Sequence, residues 1–200
     1  MSRRATATRT SKETTIAVTL HLDGGGKTAV KTGIPFLDHM LVLFGTHGLF
    51  DLSVKARGDL AVDLHHTNED LGLVLGQAFD KALGDRRGIT RFGAAYVPMD
   101  EALARVVVDI SGRPKLVLRD ARGRRPAALS STASYGWGDA EHFLESFART
   151  SKLTVHIDVL AGADFHHTCE AVFKALGRAL EAATRLHPRV KGIPSSKGRL

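Results

Sequence analysis

Two short stretches of this chain carry imidazole and carboxylate groups in matching order. His65, His66, Thr67, Asn68 and Glu69 reappear as His166, His167, Thr168, Cys169 and Glu170, and Asp38-His39 ahead of the first run reappears as Glu141-His142 ahead of the second. The offset is 103 positions at the first histidine and 101 at the glutamate, about half of the 200-residue length. Neutral imidazoles and carboxylates suit divalent transition metals, with Mn, Fe and Zn all chemically possible. On a helix, Glu69 falls one turn beyond both His65 and His66, whereas the two adjacent histidines point about 100° apart. Imidazoles aimed so differently do not easily chelate one ion. Each pair is therefore expected to feed two metals, with the other half or another subunit completing each shell.

The candidate ligands are His39, His65, His66, Glu69, His142, His166, His167 and Glu170. Shared between two ions they give four each, which leaves positions open in an octahedral shell and so admits substrate or water. His21, His47, His156 and His187 stand outside the repeat and read as surface or core residues. The zinc-protease spacing His-Glu-x-x-His is absent. Cys169, unmatched in the first copy, reads as a small helix residue.

The elements that must position these groups repeat as well. Thr14 to Leu22 alternates like a half-buried strand, the Asp23-Gly24-Gly25-Gly26 run turns it, and Lys27 to Thr32 is expected to return as its hairpin partner. Helical spacing follows over Phe36 to Leu49, a strand over Phe50 to Ala56, and an amphipathic helix over Thr67 to Leu83 that begins near His65. Strands are expected over Thr90 to Val97, Ala102 to Ser111 and Lys115 to Leu118, with a solvated loop over Arg122 to Ala127. A helix over Asp139 to Arg149, a strand over Leu153 to Leu160 and a helix over His166 to Arg185 complete the pattern. The chain thus reads as α+β, two related sheet-and-helix halves.

The composition narrows the function classes. A net charge of +7 invites a nucleic-acid reading, but aromatics are 6% and no nucleic-acid-binding spacing is present, so a small anionic ligand fits better. One cysteine cannot form an internal disulfide, which fits a reducing cytoplasm. No apolar run is long enough to span a bilayer. Residues 1–12 are basic and Ser/Thr-rich without the apolar body of a secretory signal, and read as a flexible arm. The expected divisions are this arm, a first half over 13–90, a second over 91–186 and a tail over 187–200.

Several segments together resemble one family. GIPFLDHML (Gly33 to Leu41), DLHHTNEDLG (Asp63 to Gly72), RFG and PMDEAL (Arg91 to Leu103), DISGRP (Asp109 to Pro114), HFLESF (His142 to Phe147), HHTCEAVFKALGRAL (His166 to Leu180) and PSSKG (Pro194 to Gly198) are similar to those of imidazoleglycerol-phosphate dehydratases. The resemblance covers nearly the whole chain from Glu13 onward. It implies a ribosomal protein S5 domain 2-like fold and a histidine-biosynthesis lyase that removes water from imidazole glycerol phosphate to give imidazole acetol phosphate. It also implies two Mn2+ ions per active site, at subunit interfaces of a shell of twenty-four subunits. The eight ligands match the family's metal positions. Glu13, Arg91, Arg113, Lys174, Ser195, Ser196 and Lys197 are similar to its substrate contacts.

The chemistry implied is removal of a proton from a carbon beside an imidazole ring whose nitrogens bridge the metals, followed by loss of the neighbouring hydroxyl from a diazafulvene-like intermediate. Glu170 is the favoured base, with Glu13 its competitor for base or acid on the hydroxyl side. Lys174 lies one turn beyond Glu170, where the first copy has Leu73. Arg91, Arg113, Ser196 and Lys197 suit a phosphate dianion, and the tail is expected to order over bound substrate. A metal-dependent hydrolase and a non-catalytic metal-binding shell protein are the competing classes.

Overall fold

A computed structural model describes residues 3–124, 126 and 134–200 of the chain. The first half opens with strand β1 (Arg4–Thr10), which pairs antiparallel with β2 (Thr14–His21). The flexible arm expected over residues 1–12 is thereby corrected. Ala7 is buried, a full ladder runs from Arg4↔His21 to Thr10↔Thr15, and Arg3 is ion-paired with Asp23. The Thr/Ala composition of this stretch hid a strand that buries little apolar surface.

A second correction concerns β3 (Thr28–Lys31). It does not return against β2 as a hairpin; it pairs in parallel with β4 (Asp51–Gly58), which itself pairs antiparallel with β2. Asp51 is the cause. Its Oδ1 accepts the backbone N–H groups of Gly25 and Lys27 at 2.9 and 3.0 Å, and Leu52 donates to Lys27 O at 2.8 Å, so the glycine turn is tied to β4. Between β3 and β4 runs α1 (Pro35–His47), and α2 (His65–Leu83) follows β4.

The second half repeats this plan. Strands β5 (Phe92–Met99), β6 (Ala102–Asp109), β7 (Lys115–Asp120) and β8 (Thr154–Ala161) form a sheet of order β5-β6-β8-β7, matching β1-β2-β4-β3, with β7 parallel to β8. Helix α3 (Trp137–Ser151) corresponds to α1, and α4 (Phe165–Thr184) to α2. The loop expected over Arg122 to Ala127 begins as a turn, while Arg125 and Ala127 lie outside the described residues.

One continuous apolar core joins the halves. Alternate residues Ile16, Val18 and Leu20 of β2, and Ala104, Val106 and Val108 of β6, face inward onto the helices. Helix α2 packs on α3, and α4 on α1. These contacts are close because glycine sits at each: a Cβ on Gly76 would lie 2.6 Å from Phe147 O, and one on Gly177 would lie 2.5 Å from Phe44 O. Across-half helix packing therefore brings the start of α2 beside α3 and the start of α4 beside α1.

Candidate metal centre

That packing assembles two clusters. His39 of α1 meets His166 and Glu170 of α4, and His142 of α3 meets His65 and Glu69 of α2; in each trio the donor atoms all lie within 4.8 Å of one another. Each cluster takes one histidine from one half and a histidine with its glutamate from the other. In the first, Glu170 Oε1 lies 2.8 Å from His39 Nε2 and 3.0 Å from His166 Nε2. In the second, the His65 and His142 rings are 4.7 Å apart, and Glu69 Oε1 lies 3.9 Å from His142 Nε2 and 3.0 Å from Arg149 Nη2. Two imidazole nitrogens and one carboxylate oxygen converging on a point form a donor set that fits Mn, Fe or Zn.

Burial works against ionisation of Glu170, but His39, Lys174 and His166 outweigh it and hold the carboxyl at about 2. Lys174 Nζ is 2.5 Å from Glu170 Oε2 and 3.2 Å from Met99 Sδ. Leu73 occupies the corresponding place in α2, and the cation on Glu69 comes instead from α3, as Arg149.

His66 and His167 stand outside both trios. Their rings are turned 81° and 72° from those of His65 and His166. His66 Nδ1 faces Asp59 Oδ2 at 2.9 Å, and His167 Nδ1 faces Glu101 Oε2 at 2.8 Å. These hydrogen bonds raise both histidine pKa values, and the bond to His167 lowers that of Glu101 to about 2. A histidine held at Nδ1 by a carboxylate has its Nε2 left for a metal. Asp59, Glu101 and Arg149 escaped sequence reasoning. Glu101 lies inside the quoted PMDEAL segment, whereas Asp59 falls in a stretch with no repeat partner of its own kind.

Glu13 sits in the turn before β2, where Ser11 Oγ accepts the N–H groups of Glu13 and Thr14. Thr14 Oγ1 in turn donates to Asp70 Oδ2 at 2.6 Å, which fixes this turn to α2 one residue past Glu69. The Glu13 side chain is 54% exposed on a cleft shared with Ser11, Arg57 and Asp59.

The remaining substrate candidates gather elsewhere. Arg91 pairs with Asp109 at 2.7 Å and donates to Pro194 O at 2.9 Å; Arg113 is exposed, 4.0 Å from Asp109. Ser195, Ser196 and Lys197 follow Pro194, with Lys197 N donating to Ser195 Oγ. The backbone of Arg91 bonds to Ala183, thirteen positions beyond Glu170 on α4. At 1.5 Å per residue this is about 20 Å. Within one chain, His166 and Glu170 lie in the first turns of α4, Lys174 at its middle, and the backbone of Arg91 at its last turn.

Comparison with known proteins agrees with the residues. Residues 32–180 match the family model described as imidazoleglycerol-phosphate dehydratase. The chain is 52% identical to the imidazoleglycerol-phosphate dehydratase of Geobacillus thermodenitrificans over 203 residues, covering 100% of both chains, and 50% identical to that of Bacillus subtilis over 201 residues, covering 99% and 100%. Its fold is similar to the crystal structure of the Staphylococcus aureus enzyme, with a TM-score of 0.79 and 37% identity over 92% of this chain and 99% of that one. The Pyrococcus furiosus enzyme in complex with (S)-C348 gives a TM-score of 0.81 and 37% identity over 96% and 99%.

Proposed function

Since this chain belongs to the imidazoleglycerol-phosphate dehydratase family, and so to the hydro-lyases, we propose that it dehydrates D-erythro-imidazole glycerol phosphate to imidazole acetol phosphate in histidine biosynthesis, using two manganese ions per active site. The observation that carries this reading is the pair of matched clusters, each joining a histidine of one half to a histidine and glutamate of the other. Residues His39, His166 and Glu170 would hold one ion, His65, Glu69 and His142 the other. His66 and His167, turned away from both, suit the shells of ions held by neighbouring subunits.

Losing a hydroxyl from the carbon attached to the imidazole ring needs that ring in its deprotonated, electron-rich form. Bound manganese would supply the Lewis acidity for that. The chain's own groups handle the proton and the phosphate. Both oxygens of Glu170 are engaged, Oε1 by histidines and Oε2 by Lys174, whereas Glu13 is exposed and 3.9 Å from its nearest cationic partner, His66. That difference favours Glu13 for moving a proton and Glu170 for ligation, with Lys174 near the reacting end of the substrate. Loss of the hydroxyl from the carbon attached to the ring and of the proton from the next carbon leaves an enol whose ketone lies at that next carbon, as imidazole acetol phosphate requires; the order is thus the reverse of the one expected from the sequence.

Arg91, Arg113, Ser195, Ser196 and Lys197 suit the phosphate, with the tail closing over it. Their distance of about 20 Å from Glu170 along α4 supports a site built between subunits, in an assembly of the twenty-four-subunit kind. The cytoplasm is the proposed location; among the described residues no helix is long and apolar enough to cross a membrane.

The test is an assay of imidazole glycerol phosphate dehydration on chelator-treated protein. Activity should return with Mn2+ and be inhibited by triazole compounds that mimic the ring. Hydrolysis of phosphate esters without dehydration would favour the hydrolase reading. Solvent exchange of the carbon proton should survive in Glu170→Gln if metal binding is kept, and vanish in Glu13→Gln; the reverse would restore Glu170 as base.

A further inference from the structure

The two halves solve one problem with different residues. Glu13 directly precedes β2, and Glu101 directly precedes β6, its counterpart strand. Gly58 and Gly162 also correspond: a Cβ on Gly58 would lie 1.9 Å from Thr67 Oγ1, and one on Gly162 would lie 2.4 Å from Thr168 Oγ1. The residue after this glycine is Asp59 in the first half and Ala163 in the second.

In the second half Glu101 holds His167 through Oε2, and its Oε1 accepts the N–H of Asp164 at 3.0 Å. In the first half the equivalent histidine, His66, is held by Asp59 instead, and Glu13 stands back at 3.9 Å from the same Nδ1. Asp59 pays for this position, because its Oδ1 is buried with no hydrogen-bond partner. An orphaned carboxylate oxygen is unfavourable, and the alanine in the other half shows that the backbone here does not require an acid.

We propose that Asp59 is a positioning residue that has taken over from Glu13 the task of orienting His66, leaving Glu13 free to act on substrate. The proposal rests on the metal and proton-transfer reading given above. Asp59 fixes the His66 tautomer with Nε2 available to a metal. Without Asp59, a change of side-chain rotamer brings Glu13 onto His66 Nδ1, into the arrangement of Glu101 with His167.

The experiment is calorimetric titration of the metal-free full chain with Mn2+, alongside steady-state kinetics. Glu13→Gln alone should leave Mn2+ affinity unchanged. Asp59→Ala should change affinity by no more than about threefold, because Glu13 substitutes, while kcat falls at least about tenfold with KM unchanged. The double variant should lose about tenfold or more in affinity, the usual effect of removing a group that orients a metal-binding histidine. Asp59→Asn, whose amide oxygen still accepts from Nδ1–H, should keep the affinity and restore kcat. An equal effect of Glu13→Gln on affinity in both backgrounds, or full kcat in Asp59→Ala, overturns the proposal. Unchanged Mn2+ affinity in His66→Ala would instead overturn the metal reading beneath it.

Discussion

Arg91 donates its backbone N–H to the carbonyl of Ala183 at 2.8 Å, anchoring the proposed phosphate group at the opposite end of α4 from Glu170. On the proposed reading, the substrate between them takes Glu170 and Arg113 from different chains. Co-expressing Glu170→Gln with Arg113→Ala subunits, each nearly inactive alone, should therefore recover activity. Random mixing of two-chain sites would give about a quarter of the wild-type value, as independent assortment in a symmetric oligomer requires. No recovery in verified mixed oligomers would count against a site shared between subunits.

Metal binding should follow cluster membership rather than sequence order. His142→Ala and His65→Ala should each weaken the same Mn2+ site, by about tenfold or more, and combining them should leave the other site intact. His142→Ala with His39→Ala should weaken both sites. Titration calorimetry reads this directly, and two equal losses from His142→Ala alone would contradict it.

Removing residues after Ile193 takes away the Pro194 carbonyl that Arg91 holds, together with Ser195, Ser196 and Lys197. KM should rise by about tenfold or more, the scale of lost charge-assisted phosphate bonds, while Mn2+ affinity stays the same. An unchanged KM would remove the tail from substrate binding.

Gly58→Ala places a methyl 1.9 Å from Thr67 Oγ1 and should destabilise the fold by about 1–3 kcal/mol, as overpacking does. The Thr67 hydroxyl is itself buried without a partner. Adding Thr67→Ala should consequently restore much of the thermal midpoint. Failure of that rescue would place the strain elsewhere.

Asp158 is buried between two arginines: Arg105 Nη2 lies 2.8 Å from its Oδ2, and Arg119 Nε lies 2.9 Å from its Oδ1. Burial opposes its ionisation, yet the two guanidinium groups hold its pKa below the ordinary value. A carboxyl depressed by folding contributes stability above its unfolded pKa and loses it as pH falls through the folded one. Asp158→Asn should therefore cost about 2 kcal/mol at neutral pH, less than a fully buried pair because both arginines meet solvent. The gap in thermal midpoint should narrow below about pH 4. A gap independent of pH would show that packing, not charge, makes the difference.

Much of this was legible from periodicity and repetition. The helical stripes of α2 and α4 and the doubled His-His pairs are strong local signals, and both helices start within a residue of where those signals put them. Strand β1 was hidden because Arg4 to Thr10 offers a single buried apolar residue, Ala7. The partner of β3 was hidden because the side chain of Asp51, 24 positions beyond Lys27 in sequence, decides where the glycine turn docks. At the site, residue types and spacing give the ligands but not their grouping, which depends on helices of opposite halves packing together. The role of Asp59 needed three dimensions, since seven positions separate it from His66 and its counterpart is an alanine.

The exchange of one histidine between halves has a further consequence. Such an exchange is the geometry of a two-fold dimer, in which two identical copies build both clusters alike. Any change in one cluster would then have appeared in the other. Carried in a single gene, the copies can differ: Glu170 has its cation four residues on in its own helix where Glu69 has Arg149 of α3, and Glu101 faces His167 where Asp59 faces His66. The two clusters are thereby distinguishable, which suits the proposed substrate with its two different ends.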